Sequence, residues 1–222
     1  MTLEELIAQY RQEANDKALP YFFDDQSIIG LLNNAVNEAC VRARLIHESV
    51  DPDIVDMAVA ANQTVCQLHD SVYEIDYIAF TETGSDKVVP LYLISREDLD
   101  ALDADWRSKE GQPVYAIQSD RSIRLSPKPL VAGTLSIECF RLPKTPMVVG
   151  ADAPEIHAEH HRHLVQWVLH KVFSVPDAEF FDKDRAAIAL RAFSDYFGLR
   201  PDADLRRKTR EDVPHHVEAF FV

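Results

Sequence analysis

The residues with the clearest chemical potential are four histidines in one short run, His157, His160, His161 and His163, with Glu155 and Glu159 among them. On a helix, His157 and His161 stand four apart, a spacing that lets two imidazoles reach one zinc ion. The order is His-Ala-Glu-His-His, neither His-Glu-x-x-His nor His-x-x-Glu-His, so the ligands and base of a zinc hydrolase do not fall into place. A metal-dependent hydrolase built on His157, His161 and Glu159 is one reading. A polar helix face near an interface is the other, and the spacing favours it. Carboxylates also come in pairs (Asp24/Asp25, Asp103/Asp105, Asp182/Asp184), and glycosidic chemistry needs two of them across a cleft. With 37 acidic residues in the chain, neighbouring carboxylates arise by chance, and solvated faces and helix caps account for them. Cys66 lies three residues before His69, but the surrounding apolar–polar alternation offers nothing to lower a thiol pKa. There is no Gly-rich phosphate loop and no Gly-x-Ser-x-Gly. No catalytic residue, cofactor-binding residue or metal ligand is therefore assigned, no cofactor is expected, and the chain does not read as an enzyme.

Composition narrows the class. The chain has 222 residues, 46% hydrophobic and 27% charged, ordinary proportions for a globular protein with a real core. Six glycines and twelve prolines argue against low complexity. No apolar run approaches the roughly 18 residues of a membrane span, and the start, Met-Thr-Leu-Glu-Glu-Leu-Ile, has no signal-peptide pattern. Cys40, Cys66 and Cys139 have no paired spacing and read as reduced core residues. The net charge of −14 opposes non-specific binding to nucleic acid, because phosphates are repelled rather than neutralised. It suits a wall past which DNA slides without sticking.

The elements that must position any site follow from periodicity. Thr2-x-x-Glu5 is a capping box, and Leu3, Leu6, Ile7 and Tyr10 mark an amphipathic helix over 3–16 that Leu19-Pro20 ends. Asp24 or Asp25 caps a second helix running to about Glu48. From about 54 to 142 the period becomes two, with a strand over Tyr73–Phe80, a turn at Thr83-Gly84-Ser85, a short helix at 96–103, and turns at 120–122 and Ala132-Gly133. Helix returns with Pro154 at a first helical position and runs to about Phe173. A last helix covers about 178–197 and is capped by Gly198. The class is α+β: an antiparallel helical bundle from N- and C-terminal helices, a β-rich insert and an extended C-terminal tail. The divisions are N-terminal helices at 1–53, insert at 54–145, C-terminal helices at 146–198 and tail at 199–222.

One run carries more information than any candidate for chemistry. Trp106 precedes a Gly111-Gln-Pro113-Val-Tyr115 turn, a short strand ends in Pro127-Lys-Pro129, and a longer strand ends in Arg141-Leu-Pro143. Pro154-Glu-Ile-His157 then opens a helix. This order resembles the head-to-tail adaptor (connector, head-completion) proteins of tailed bacteriophages, over about residues 24–200. The resemblance implies a structural protein of the virion, made in the host cytoplasm and placed at the portal–tail junction. Its partners would be the phage portal protein, the tail proteins and further copies of itself in a twelvefold ring, through which DNA passes without specific binding. No membrane is involved. Trp106, Gly111, Pro113, Tyr115, Pro127 and Pro129 are expected to be structural, the Trp filling the space where the β-rich part folds onto the helices. In the tail, Arg206, Arg207 and Arg210 are expected to pair with acidic groups on the portal, with Phe220 and Phe221 as apolar anchors. A cytosolic binding module, its tail serving as peptide ligand, stays open at this level.

Overall fold

A computed structural model of the chain describes residues 1–176 and 179–201. Among them, six α-helices and two sheets form two compact units, one of residues Met1–His47 with Phe140–Arg200, the other of residues Glu48–Cys139. The fold is mixed α+β. None of the described helices is long and apolar enough to cross a membrane.

The helical unit is built on α1 (Leu3–Ala14), α2 (Asp25–Ala43), α5 (His161–Phe173) and α6 (Lys183–Phe197). The capping box forms as expected: Thr2 Oγ1 accepts from the Glu5 amide, and Glu5 accepts from the Thr2 amide. Leu3, Leu6, Tyr10 and Ala14 then lie on one buried face of α1. They share a core with Ile28, Leu32 and Ala35 of α2, Leu164, Val168 and Val172 of α5, and Phe193 of α6. Polar side chains fix this packing. Asn33 receives the Met147 amide on Oδ1 and donates Nδ2 to the Met147 carbonyl, both at 2.9 Å. Arg42, paired with Glu38, donates to Ser194 Oγ and to the Gly198 carbonyl, which meets the unpaired carbonyl end of α6.

Three helix boundaries differ from the sequence expectation, two through partners far along the chain and one through a local cap. α2 ends at Ala43, with Arg44 left-handed (φ 50°), instead of continuing to Glu48. Ile46 suits the helical period, but its carbonyl accepts from the Arg141 amide (3.0 Å), which requires extended chain. α5 begins at His161 after a 3₁₀ turn at Ala158–His160, not at Pro154. α6 begins at Lys183, where the Asp182 carboxylate accepts from the Asp184 and Arg185 amides.

The strand-rich unit contains the one-turn α3 (Pro52–Val55), α4 (Arg96–Leu102) and most of the strands. β1 (His47–Glu48), β9 (Gly133–Arg141), β4 (Val72–Glu82) and β5 (Val88–Pro90) follow one another in one sheet, and β2 (Asp56–Val59) also pairs with β9. The second sheet runs β3 (Val65–Gln67), β8 (Ser122–Ser126), β7 (Tyr115–Gln118), β6 (Tyr92–Leu93), with only the β6–β7 pair parallel. Strict alternation in β9 buries Leu135, Ile137 and Cys139. Those residues join Ile75, Ile78 and Phe80 of β4 and Ile123 and Leu125 of β8 in a core drawn from both sheets. Gly84 takes the positive φ (83°) of its turn, as read from sequence. Gly133, expected in a turn, is the first residue of β9.

Candidate functional site

The residues of the Trp106–Pro129 run come together in the strand-rich unit. Trp106 is 3% exposed and packs on Leu99 of α4 and Ile117 of β7, with Tyr115 and Ile94 beside them. Together they form a small core between α4 and the second sheet. The indole Nε1 donates to Asp100 Oδ1 (2.7 Å), and Asp100 is gripped through both oxygens by Arg107 (2.5 and 3.1 Å). Those bonds hold the exposed Asp100 carboxyl below the usual carboxylate range, the Arg107 contact first and Trp106 second.

The Gly-Pro turn is pinned to the strand end that follows it. The Gly111 amide donates to the Lys128 carbonyl (2.9 Å), Lys128 donates back to Lys109, and Val114 donates to Ser126. Gly111 sits at φ 151°. Pro113 and Pro129 are buried and Pro127 is half-buried; the Pro129 carbonyl accepts from the Asn62 amide (2.7 Å). Tyr115 lies opposite Tyr92 and Ser126.

The two later motifs meet in the helical unit. Arg141, 5% exposed at the end of β9, donates to Glu155 Oε1 (2.6 Å), and the Lys144 amide donates to Glu155 Oε2 (2.9 Å). The strand-end arginine and the glutamate of Pro154-Glu-Ile-His157 are therefore partners. This contact draws Glu155 away from a helical first turn and explains the late start of α5. Burial pushes the Glu155 carboxyl up, but the Arg141 and Lys144 contacts outweigh it and hold the carboxyl below its ordinary value. A lowered folded-state pKa stabilises above the unfolded carboxylate's pKa and loses that contribution as pH falls through the folded value. Wild type should accordingly be more stable than Glu155→Gln at neutral pH, with the gap closing on acidification through and below the ordinary carboxylate range. Thermal unfolding of both proteins from pH 7 downward checks this, and a gap independent of pH would contradict it.

The histidine run does not form a ligand set. His161, 4% exposed, donates Nε2–H to the Ile156 carbonyl (2.9 Å), and its Nδ1 lies 2.9 Å from the Met1 nitrogen and 3.0 Å from the Met1 carbonyl. Both ring nitrogens face protein groups. His157 Nδ1 accepts from the Glu159 amide, capping the 3₁₀ turn. His163 stacks on Tyr196 (centroids 3.5 Å apart) and accepts from Arg162 Nε, while His160 Nδ1 lies 3.1 Å from the Tyr196 hydroxyl. Burial, with Arg162 and His160 nearby, pushes His163 down. His160 and His163 thereby join the start of α5 to the last turn of α6. At the other Cys–His neighbours, burial raises the Cys66 thiol, and His69 Nδ1 is bonded at Ser71. Cys40 is pushed up to about 12, chiefly by burial.

Arg206, Arg207, Arg210, Phe220 and Phe221 lie outside the described residues. Sequence reasoning passed over Glu155 as the partner of Arg141, and Arg124, whose guanidinium carbon lies 5.3 Å from the Trp106 ring centroid. In the sequence Arg141-Leu-Pro143 and Pro154-Glu-Ile-His157 stand as separate motifs; only the fold makes them one. None of the curated proteins matches the chain. The SU10 adaptor protein family does, its model matching residues 1–217, so that both units and most of the C-terminal segment fall within it; the chain belongs to this family of phage head-to-tail adaptors.

Proposed function

We propose that this adaptor completes the phage head by binding the portal ring after DNA packaging. Copies of the chain then close into a ring, twelvefold by resemblance, that serves as DNA conduit and as platform for the tail proteins. The observation that carries this is the family match along residues 1–217. Physical chemistry supports it. Once one copy sits on a ring of identical sites, each further contact is effectively intramolecular, so modest interfaces add up. Ring closure uses heterologous contacts, one face of a copy meeting a different face of its neighbour. A charge of −14 per copy suits a channel that DNA crosses without sticking. In this reading α1, α2, α5 and α6 act as an antiparallel bundle, residues 54–145 as the inserted β-rich part, and the protein carries out no catalysis.

The segment 199–222 is assigned to the portal. Phe220 and Phe221 anchor it by apolar burial, and Arg206, Arg207 and Arg210 pair with portal carboxylates. Co-sedimentation of the full chain and a chain ending at residue 203 with purified portal rings tests the assignment. The shortened chain should keep its melting temperature nearly unchanged and lose attachment. Unaltered affinity, or unfolding of the shortened chain, would overturn the docking role. The free full chain should scatter light as a monomer at micromolar concentration, and a stable dodecamer there would contradict assembly on the portal.

A further inference from the structure

We infer that Arg124 is a receptor for a carboxylate of a second copy of this chain. Five basic residues cluster along the Trp106–Pro129 run, and four have acidic partners: Arg107 with Asp100 (2.5 Å), Lys109 with Asp103 (2.6 Å), Arg121 with Asp70 and Lys128 with Glu110. Arg124 has none among the described residues. It stands on β8, between Val65 of β3 and Ile117 of β7. Its side chain is half-buried, and its Nε is buried without a hydrogen-bond partner. In a chain with 37 acidic against 23 basic residues, leaving one guanidinium unpaired and partly desolvated is costly unless an anion meets it from outside.

The guanidinium is held ready for such a partner. Trp106 lies beneath it, fixed by its bond to Asp100, and Asp100 is fixed by Arg107, whose guanidinium carbon lies 4.4 Å from the same Trp106 ring centroid. The indole is thus shared by two guanidinium groups, only one of which has its carboxylate. A planar fork on a fixed aromatic ring is pre-organised for a carboxylate and loses little freedom on binding one.

The occupant follows from charge. DNA phosphates approaching a chain of net charge −14 are repelled. Another copy of the chain brings an excess of carboxylates, and two such copies repel each other unless a cation is presented at their contact. Arg124 supplies that cation. The inference rests on the ring reading above, and it adds the residue by which neighbours recognise each other.

The experiment uses the full chain, Arg124→Gln and Arg124→Lys with purified portal rings, reading copies per ring by electron microscopy and single-copy affinity at low occupancy. Both variants should keep the wild-type melting temperature and single-copy affinity. Arg124→Gln should need at least about tenfold more protein to complete rings, as expected for a lost interfacial charge pair, and Arg124→Lys should fall between, keeping charge without the fork. Rings completed by Arg124→Gln at wild-type concentrations would overturn the inference. An equal loss of single-copy affinity would overturn it too, by placing the carboxylate on the portal. If Arg124→Gln unfolds, the Arg124→Lys shift alone decides. Wild type that binds singly but never fills a ring removes the ring reading itself, and this shows in the wild-type arm before any variant is compared.

Discussion

Gly133→Ala is expected to destabilise the strand-rich unit by about 3 kcal/mol, the upper part of the range for overpacking a close-packed site. Gly133 opens β9 beside β4. A Cβ built there would lie 2.5 Å from Phe80 Cζ and 2.8 Å from Phe80 Cε2, and would also meet the Thr81 carbonyl oxygen. The carbonyl is backbone and has no rotamer to change. The Phe80 ring is 1% exposed in the core shared by both sheets, so it has nowhere to swing. The added methyl therefore has to move strand against strand. The requirement here is space. Amide exchange across 72–82 and 133–141, read beside thermal unfolding, locates the loss in these strands. A Phe80→Leu, Gly133→Ala double variant should recover part of it, because the ring clash is relieved while the carbonyl clash remains. Gly133→Ala within about 0.5 kcal/mol of wild type, the range of ordinary surface substitutions, would show that the strands yield more easily than their packing implies.

Periodicity and capping chemistry located what is determined locally. Thr2 and Glu5 close their box within one turn, Ser95 caps α4 through the Asp98 amide (3.0 Å), and Gly84 turns where its neighbours demand a positive φ. What escaped was settled by partners far along the chain. Ile46 fits a helix stripe and an extended segment equally well, and the Arg141 amide decides between them. Pro154 is a good first helical residue, but Arg141 claims the adjacent Glu155. The α3 turn, Pro52–Val55, is a local exception: it falls between the helical and the alternating stretches, too short to show a period, and Asp51 caps it through the Asp53 amide. Among candidate site residues, the order from Trp106 to His157 was legible as a resemblance. That Arg141 and Glu155 bond, and that Trp106 shares its ring with Arg107 and Arg124, was not. One arginine in an alternating strand carries no mark of its missing partner until the acids around it have been assigned to others.

Asp16→Ala should cost the helical unit about 3 kcal/mol, the low end for breaking a buried ion pair. Asp16 is 1% exposed. It accepts from Arg11 and from the Phe22 amide (3.1 Å). Arg11, 8% exposed, also donates to the Phe23 carbonyl (2.6 Å) and Asp25 (2.7 Å) and lies 3.9 Å from the Tyr21 ring centroid. One buried guanidinium thus gathers the connection between α1 and α2. Removing the Asp16 carboxylate orphans the Phe22 amide and leaves the buried Arg11 with the neutral Phe23 carbonyl and one largely exposed carboxylate, since the Asp25 side chain is 61% exposed. Three companion variants separate the contributions. Asp16→Asn keeps an acceptor for Phe22 and should lose about half as much, a neutral hydrogen bond replacing a charged one. Asp25→Ala removes only the exposed partner and should cost under about 1 kcal/mol. Arg11→Met, Asp16→Leu replaces the pair by apolar volume and should recover much of the loss, because no uncompensated charge then stays buried. Chemical denaturation of the four proteins gives the order directly. If Asp25→Ala proves as damaging as Asp16→Ala, the surface contact holds the connection and the buried pair does not.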